Sequence, residues 1–150
     1  MTARFTGRNF DVTILGVMVH VKSATATISD ESAVALTRGV TDGYTDGSAQ
    51  CETEYELDLN NFRKLQQKAR EAGSWREIAP HDCQFYANNG SDEDKVELYG
   101  VKLVISDLIS VDPESADKTT RKLKGFVTSP HFVSINGIPY LSENDTRGLF

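Results

Sequence analysis

Between Ala49 and Leu59 polar and apolar side chains alternate with a period of two. Gln50, Glu52, Glu54, Glu56 and Asp58 fall on one side; Ala49, Cys51, Thr53, Tyr55, Leu57 and Leu59 fall on the other. That period predicts a β-strand with one buried face and one wet face. Along the wet face the acids stand about 7 Å apart, two strand rises. Four carboxylates in a row repel one another and do nothing for folding. The face is therefore an ordinary solvated surface, is met by cations from neighbouring strands, or has a use for negative charge.

The same reading extends in both directions. Phe10–Leu15, a turn at Gly16 and Val17–Lys22 predict a strand pair, with Val17, Val19 and Val21 on one face and Met18, His20 and Lys22 on the other. Ala24–Val34 has strand-forming Thr and Ile but low hydrophobicity, which suits a sheet that is half wet or pressed on a partner. Leu36–Ser48 is punctuated by Gly39, Asp42-Gly43 and Asp46-Gly47. Asp-Gly pairs signal turns, so residues 36–48 are expected to protrude as a hairpin or arm. Segments of that length are usually functional or mobile.

One helix is expected, Asn60–Gly73, capped by Asn60 or Asn61 and closed by Gly73. Phe62, Leu65, Ala69 and Ala72 make its narrow apolar stripe. Arg63, Lys64, Lys68 and Arg70 make the exposed side basic, which suits solvated helix charges. Strands then resume: Asp82–Ala87 and Lys95–Val101 flank a turn over Asn88–Asp92. Lys102–Val111 continues with Leu103, Ile105, Ile109 and Val111 on one side. After a polar loop, Asp112–Lys118, comes Thr119–Thr128, where Leu123 and Val127 face away from Lys122, Lys124 and Phe126. Lys122 and Lys124 are candidate cross-strand partners for the acidic ladder. Phe132–Ile135, Asn136-Gly137 and Ile138–Leu141 read as a hairpin with a type I′ turn, and Pro139 places its last strand at an edge. The sum is a mainly-β domain over residues 1–150, a sandwich or barrel with one flanking helix.

The chain has 150 residues, two cysteines and a net charge of −6. The negative balance argues against capture of nucleic acid, which needs cations, but not against nucleic acid passing by. No apolar run reaches a membrane span and the start of the chain lacks a signal-like apolar stretch, so a cytoplasmic origin with no membrane partner is expected. Cys51 and Cys83 set no disulfide framework.

Catalytic chemistry finds little support. His81-Asp82-Cys83, with His20 and Cys51, holds metal-ligating types without metal-ligand spacing. Nothing local marks Cys83 as an activated thiol, and no Gly-rich loop opens a helix to cradle phosphate. Trp75 reads as a core plug at the helix exit. No catalytic residues, metal ligands or cofactor are assigned.

Several segments together carry a resemblance: Arg8-Asn-Phe-Asp-Val12, Val21-Lys-Ser-Ala-Thr-Ala-Thr-Ile-Ser-Asp30, Thr37-Arg-Gly-Val40, Ala72-Gly-Ser-Trp-Arg76, Phe85-Tyr-Ala-Asn88, Val96-Glu-Leu-Tyr-Gly-Val-Lys-Leu103, Val127-Thr-Ser-Pro130 and Ile135-Asn-Gly-Ile-Pro-Tyr-Leu141. In this order, over nearly the whole chain, they resemble the tail tube proteins of temperate contractile-tailed phages. The resemblance implies two packed antiparallel sheets with one flanking helix, related to the ring-forming tube proteins of type VI secretion. It implies a structural, non-enzymatic virion protein that self-assembles into stacked hexameric rings as the conduit for DNA ejection. Its partners would be further copies of itself, the tail sheath, the baseplate and the tape-measure protein. DNA would transit without specific binding, and assembly in the host cytoplasm would precede residence in the virion tail.

On that reading Glu52, Glu54, Glu56 and Asp58 would line the lumen, with Ala24–Val34 as a second lining strand. The arm containing Arg38, Gly39, Asp42, Gly43, Asp46 and Gly47 would reach a neighbouring subunit. Arg63, Lys64, Lys68 and Arg70 would face outward to the sheath. The alternatives are another tail component, such as a terminator, and a monomeric β-sandwich binding module.

Overall fold

The computed structural model describes residues 10–149, apart from residues 89, 91, 110, 111, 115, 117 and 118. Its elements, in chain order, are β1 (Phe10–Ile14), β2 (Val17–Val19), β3 (Ser23–Asp30), β4 (Ala33–Thr37), β5 (Val40–Thr45) and β6 (Ala49–Asp58). They continue with α1 (Leu59–Ala72), β7 (His81–Asn88), β8 (Glu93–Asp107), β9 (Thr120–Val127), β10 (Val133–Ile135) and β11 (Ile138–Pro139). The large antiparallel sheet follows the order β2-β1-β7-β8-β9-β6-β3, with β10 on β8 and β11 on β10; β4 and β5 form a small sheet of their own.

β8 turns this single hydrogen-bonded sheet into two layers. Its leading half pairs with β7, and through Val96, Glu97 and Leu98 with β10. Its trailing half, Val101–Asp107, pairs with β9. Between the halves the register against β7 slips near Gly100, an irregularity of the kind that bends a strand. The layer β2-β1-β7 with β10 and β11 thus comes to face the layer β9-β6-β3. Val12, Ile14, Val19, Cys83, Leu98 and Val133 pack from one side against Cys51, Tyr55, Leu57 and Leu123 from the other. The alternation read at Ala49–Leu59 is the inner and outer face of β6: Cys51, Thr53, Tyr55 and Leu57 are buried while Glu52 and Glu54 are exposed.

α1 packs across β2, β6 and β9, so it bridges the two layers at one end. Its cap differs from the sequence expectation. Asp58, not Asn60 or Asn61, is the N-cap, and its Oδ1 accepts from the Asn61 backbone N–H at 2.9 Å. The reason is that β6 leads into the helix with no loop between, which leaves the last strand residue at the capping position. Asn61 is buried instead; its amide donates to Asp58 Oδ1 at 2.9 Å and its Oδ1 accepts from the His20 backbone N–H at 3.1 Å. Gly73 closes the helix in the left-handed region at φ 94°. Phe62, Leu65 and Ala69 are buried as expected, whereas Ala72, the last residue of the helix, is exposed. Trp75 is half-buried and stacks on Phe62 with ring centroids 5.0 Å apart.

Other boundaries shift for local reasons. β2 ends at Val19, short of Lys22, and Ala24–Val34 divides at Glu31 and Ser32. Ile109 lies past the end of β8 and is exposed, so it does not share the apolar side of Leu103 and Ile105; Val111 lies outside the described residues. The turn expected over Asn88–Asp92 and the loop Asp112–Lys118 fall partly outside them too. The last hairpin has its turn at Asn136 and Gly137, with φ 53° and 82° as a type I′ turn requires. β11, with Pro139, pairs among the described residues only with β10.

Candidate functional site

The outer face of β3, β6 and β9 is built around the acidic ladder. Glu52, Glu54 and Glu56 lie opposite Thr27, Thr25 and Ser23 on β3 and opposite Phe126, Lys124 and Lys122 on β9. Directly opposed residues share a face, so the neighbouring strand brings two lysines to three glutamates. Lys124 Nζ is 3.5 Å from Glu54 Oε1, and Lys22 Nζ is 3.8 Å from Glu56 Oε1. Glu56 also accepts from Thr120 Oγ1 at 2.8 Å and from Ser23 Oγ at 3.4 Å. The Thr120 hydroxyl first, then the lysine charges, hold its carboxyl below the usual range. Lys122 Nζ turns toward Asp107, 3.8 Å away. These are solvent-washed pairs, each contributing about 0–1 kcal/mol.

The ladder is therefore graded. Asp58 at its lower end is committed to the helix cap, Glu56 and Glu54 have cations beside them, and Glu52 faces Thr27 and Phe126 with no cation opposite. β3 adds a row of hydroxyls, Ser23, Thr25 and Thr27, and among the described residues is paired on one side only. Val104 and Phe126 are about half exposed on the β8–β9 side, at 46% and 44%.

The segment expected as an arm is the β4–β5 hairpin. Its turn sits at Arg38 (φ 54°) and Gly39 (φ 78°), not at an Asp-Gly pair. Asp42-Gly43 instead forms a bulge: Val34 pairs with Tyr44 and Leu36 with Thr41, leaving one extra residue on β5, with Gly43 at φ 86°. The bulge resets the alternation and puts Val34, Leu36 and Tyr44 on one face. These side chains are 60%, 64% and 75% exposed, with Val40 at 66% near the tip. Asp46-Gly47 is the return to β6, where Gly47 lies against Glu31.

On α1, Arg63, Lys64 and Arg70 are exposed and Lys68 is half-buried, on the side away from Phe62, Leu65 and Ala69. Sequence reading missed Arg121, whose guanidinium lies 4.9 Å over the Phe62 ring while its Nε donates to the Leu108 carbonyl at 3.0 Å. It also missed Tyr55–Cys83 (2.9 Å) and Tyr140–Asp30 (2.6 Å), contacts between residues distant in sequence that no local pattern marks.

Between the layers an open cleft of about 1020 Å³ is lined mainly by apolar side chains, among them Val12, Ala24, Ile28, Phe85, Val96 and Ile135. Cys51 reaches its wall, and burial pushes that thiol up. Burial likewise lifts Cys83 to about 11, so both thiols are protonated at neutral pH and poor nucleophiles. Alternation places Asp82 outward and Cys83 inward, which splits His81-Asp82-Cys83 across the sheet. His81 is half-buried and desolvation lowers its pKa, favouring the neutral ring. Among the described residues no three His, Cys, Asp or Glu side chains converge as a metal site. None of their helices is long and apolar enough to cross a membrane.

Residues 8–141 match the family model described as Bacteriophage HP1, Orf24. A protein of Haemophilus phage HP1 (strain HP1c1), provisionally named as a tail tube protein, is 44% identical over 146 residues, which is 97% of either chain. Among solved structures, the tube-terminating cap of the anti-feeding prophage has the same fold, with TM-score 0.68, 12% identity and 91% and 93% of the two chains covered. A chain of the PVC sheath-tube complex, an extracellular contractile injection system, gives 0.66 at 11% identity, covering 89% and 91%. Hcp1 of Flavobacterium johnsoniae gives 0.51 at 11% identity, covering 85% and 94%.

Proposed function

The chain belongs to the bacteriophage HP1 Orf24 family, and from that premise we propose that it is the tube subunit of a contractile phage tail. The observation that carries this reading is the 44% identity, over 97% of both chains, to the HP1 protein named for the tail tube. The fold shared with tube and cap chains of contractile injection systems supports it. The work of such a protein is assembly: hexameric rings that stack into a conduit through which DNA leaves the virion. Sheath, baseplate and tape-measure proteins would be its partners.

Within that assembly, the β3–β6 face is the proposed lining. Hydroxyls and carboxylates dominate it, and its lysines are engaged by Glu54, Glu56 and Asp107. A phosphate backbone sliding past meets few unengaged cations, and like charges within a Debye length of about 8 Å keep it from sticking. The exposed apolar face of the β4–β5 hairpin suits burial on a neighbouring subunit. The outer cations of α1 suit a surrounding sheath.

A second reading, a tube-terminating protein, is favoured by the cap's TM-score of 0.68 beside 0.66 for the sheath-tube chain. Electron microscopy of the concentrated protein, seeded with baseplate and paired with solution mass, separates the two. Open-ended growth of hollow six-fold tubes supports the tube subunit; single closed rings that never elongate support the terminator. Persistent monomers under seeding contradict both.

A further inference from the structure

We propose that the Tyr140 hydroxyl braces the root of the β4–β5 hairpin, so that the C-terminal hairpin of the same chain sets the direction in which the arm projects. The arm itself has little else to hold it. No residue of β4 or β5 is buried, and among the described residues its strands pair only with each other. Its pose therefore depends on the few residues that join it to β3 and β6.

At that junction Asp30, the last residue of β3, is fully engaged. Its Oδ1 accepts from the Ser32 backbone N–H at 2.9 Å and from Ser32 Oγ at 2.7 Å; its Oδ2 accepts from Tyr140 Oη at 2.6 Å. One carboxylate thus ties the first residues of the arm to a residue 110 positions later. The returning chain is pinned beside it. Glu31 N–H donates to the Ser48 carbonyl at 2.9 Å, and Ser48 Oγ donates to Glu31 Oε2 at 3.1 Å. Gly47 N–H reaches Ser32 Oγ at 3.4 Å, and a Cβ on Gly47 would lie 2.3 Å from the Glu31 carbonyl carbon and oxygen. Only glycine permits that approach.

Tyr140 is in turn anchored to the core. Its backbone N–H donates to the Val133 carbonyl at 2.9 Å, and its ring lies 5.7 Å from that of Phe132. Val133 and Phe132 are 1% and 5% exposed. A continuous set of contacts therefore leads from the core through Tyr140 and Asp30 to Ser32. A hydroxyl donating to a carboxylate is among the stronger hydrogen bonds. Consistent with this, the Tyr140 bond, and then Ser32, hold the Asp30 carboxyl down to about 2.

The pose can be measured without assembly. Spin labels at Val40→Cys on the arm and Arg63→Cys on α1 report one interresidue distance in dilute, monomeric protein; the native thiols are buried and protonated. The parent should give a narrow distribution. Tyr140→Phe, which keeps the ring and removes only the hydroxyl, should at least double its width with unchanged melting temperature. Asp30→Ala should match it, and Asp30→Asn, which keeps an acceptor, should restore part of the narrowing. Equal widths in parent and Tyr140→Phe, whether narrow or broad, overturn the brace. That this pose matters for assembly rests on the tube reading. Tube yield is therefore scored separately, so a protein that never forms tubes sinks that reading and leaves the distance result standing.

Discussion

Asp58 and Cys83 show how single side chains decide matters that a pattern leaves open. Asp58 continues the acidic alternation of β6, yet its carboxylate serves the first turn of α1. Asp58→Ala should lower unfolding free energy by about 1 kcal/mol, and Asp58→Asn by much less, in urea titrations. Cys83 lies inside, with its Sγ 2.9 Å from the Tyr55 hydroxyl, and burial raises its pKa from 9.0 to about 11. A folded-state value above the unfolded one stabilises below the unfolded value, and that stability is lost as pH rises through the folded value. Stability should therefore fall between pH 9 and 11, by on the order of 2–3 kcal/mol from this thiol. Tyr55, also raised by burial, carries the decline to higher pH. Denaturant midpoints across that range check it, and Cys83→Ala should flatten the first part of the fall.

At the scale of elements, β6 and β9 answer the question posed by the ladder. The lysines expected as cross-strand partners do lie opposite it: Lys124 on Glu54 and Lys122 on Glu56. Register did this, and register follows from the shared inner faces, since Tyr55 and Leu123 must both point into the core. The β4–β5 hairpin poses the opposite case. Its Asp-Gly pairs looked like turns, but Asp42-Gly43 became a bulge, because the tighter Arg38-Gly39 turn already reverses the chain. The consequence is an exposed apolar face. Replacing Val34, Leu36 and Tyr44 together with serine should leave monomer stability within about 0.5 kcal/mol, as exposed substitutions do. The same variant should fail to grow tubes under seeding; full-length tubes from it would refute the arm as an inter-subunit contact.

For the whole molecule, the two-layer arrangement places the graded ladder on one outer face and the helix cations on another element. Glu52, with no cation opposite, is the position to reverse, since Glu54 and Glu56 keep their pairs. In virions, Glu52→Lys should preserve tube assembly and slow DNA ejection, more at low salt where screening is weak. Ejection at the parental rate at every ionic strength would remove this face from the lumen.

The alternation of β6, the helix with its Gly73 stop, the Asn136-Gly137 turn and the edge strand with Pro139 were all determined by sequence alone. Each depends on residues within a few positions of one another, where steric preference and hydrophobic period act directly. So was the family, because its signal is spread along the chain in order. The tertiary structure alone decided that β8 belongs to both layers, that Asp58 leaves the ladder, that Tyr55 meets Cys83 and that Tyr140 meets Asp30. Those outcomes depend on chain segments brought together from far apart, and the free energy of such contacts comes from burial and geometry that exist only once the layers have closed.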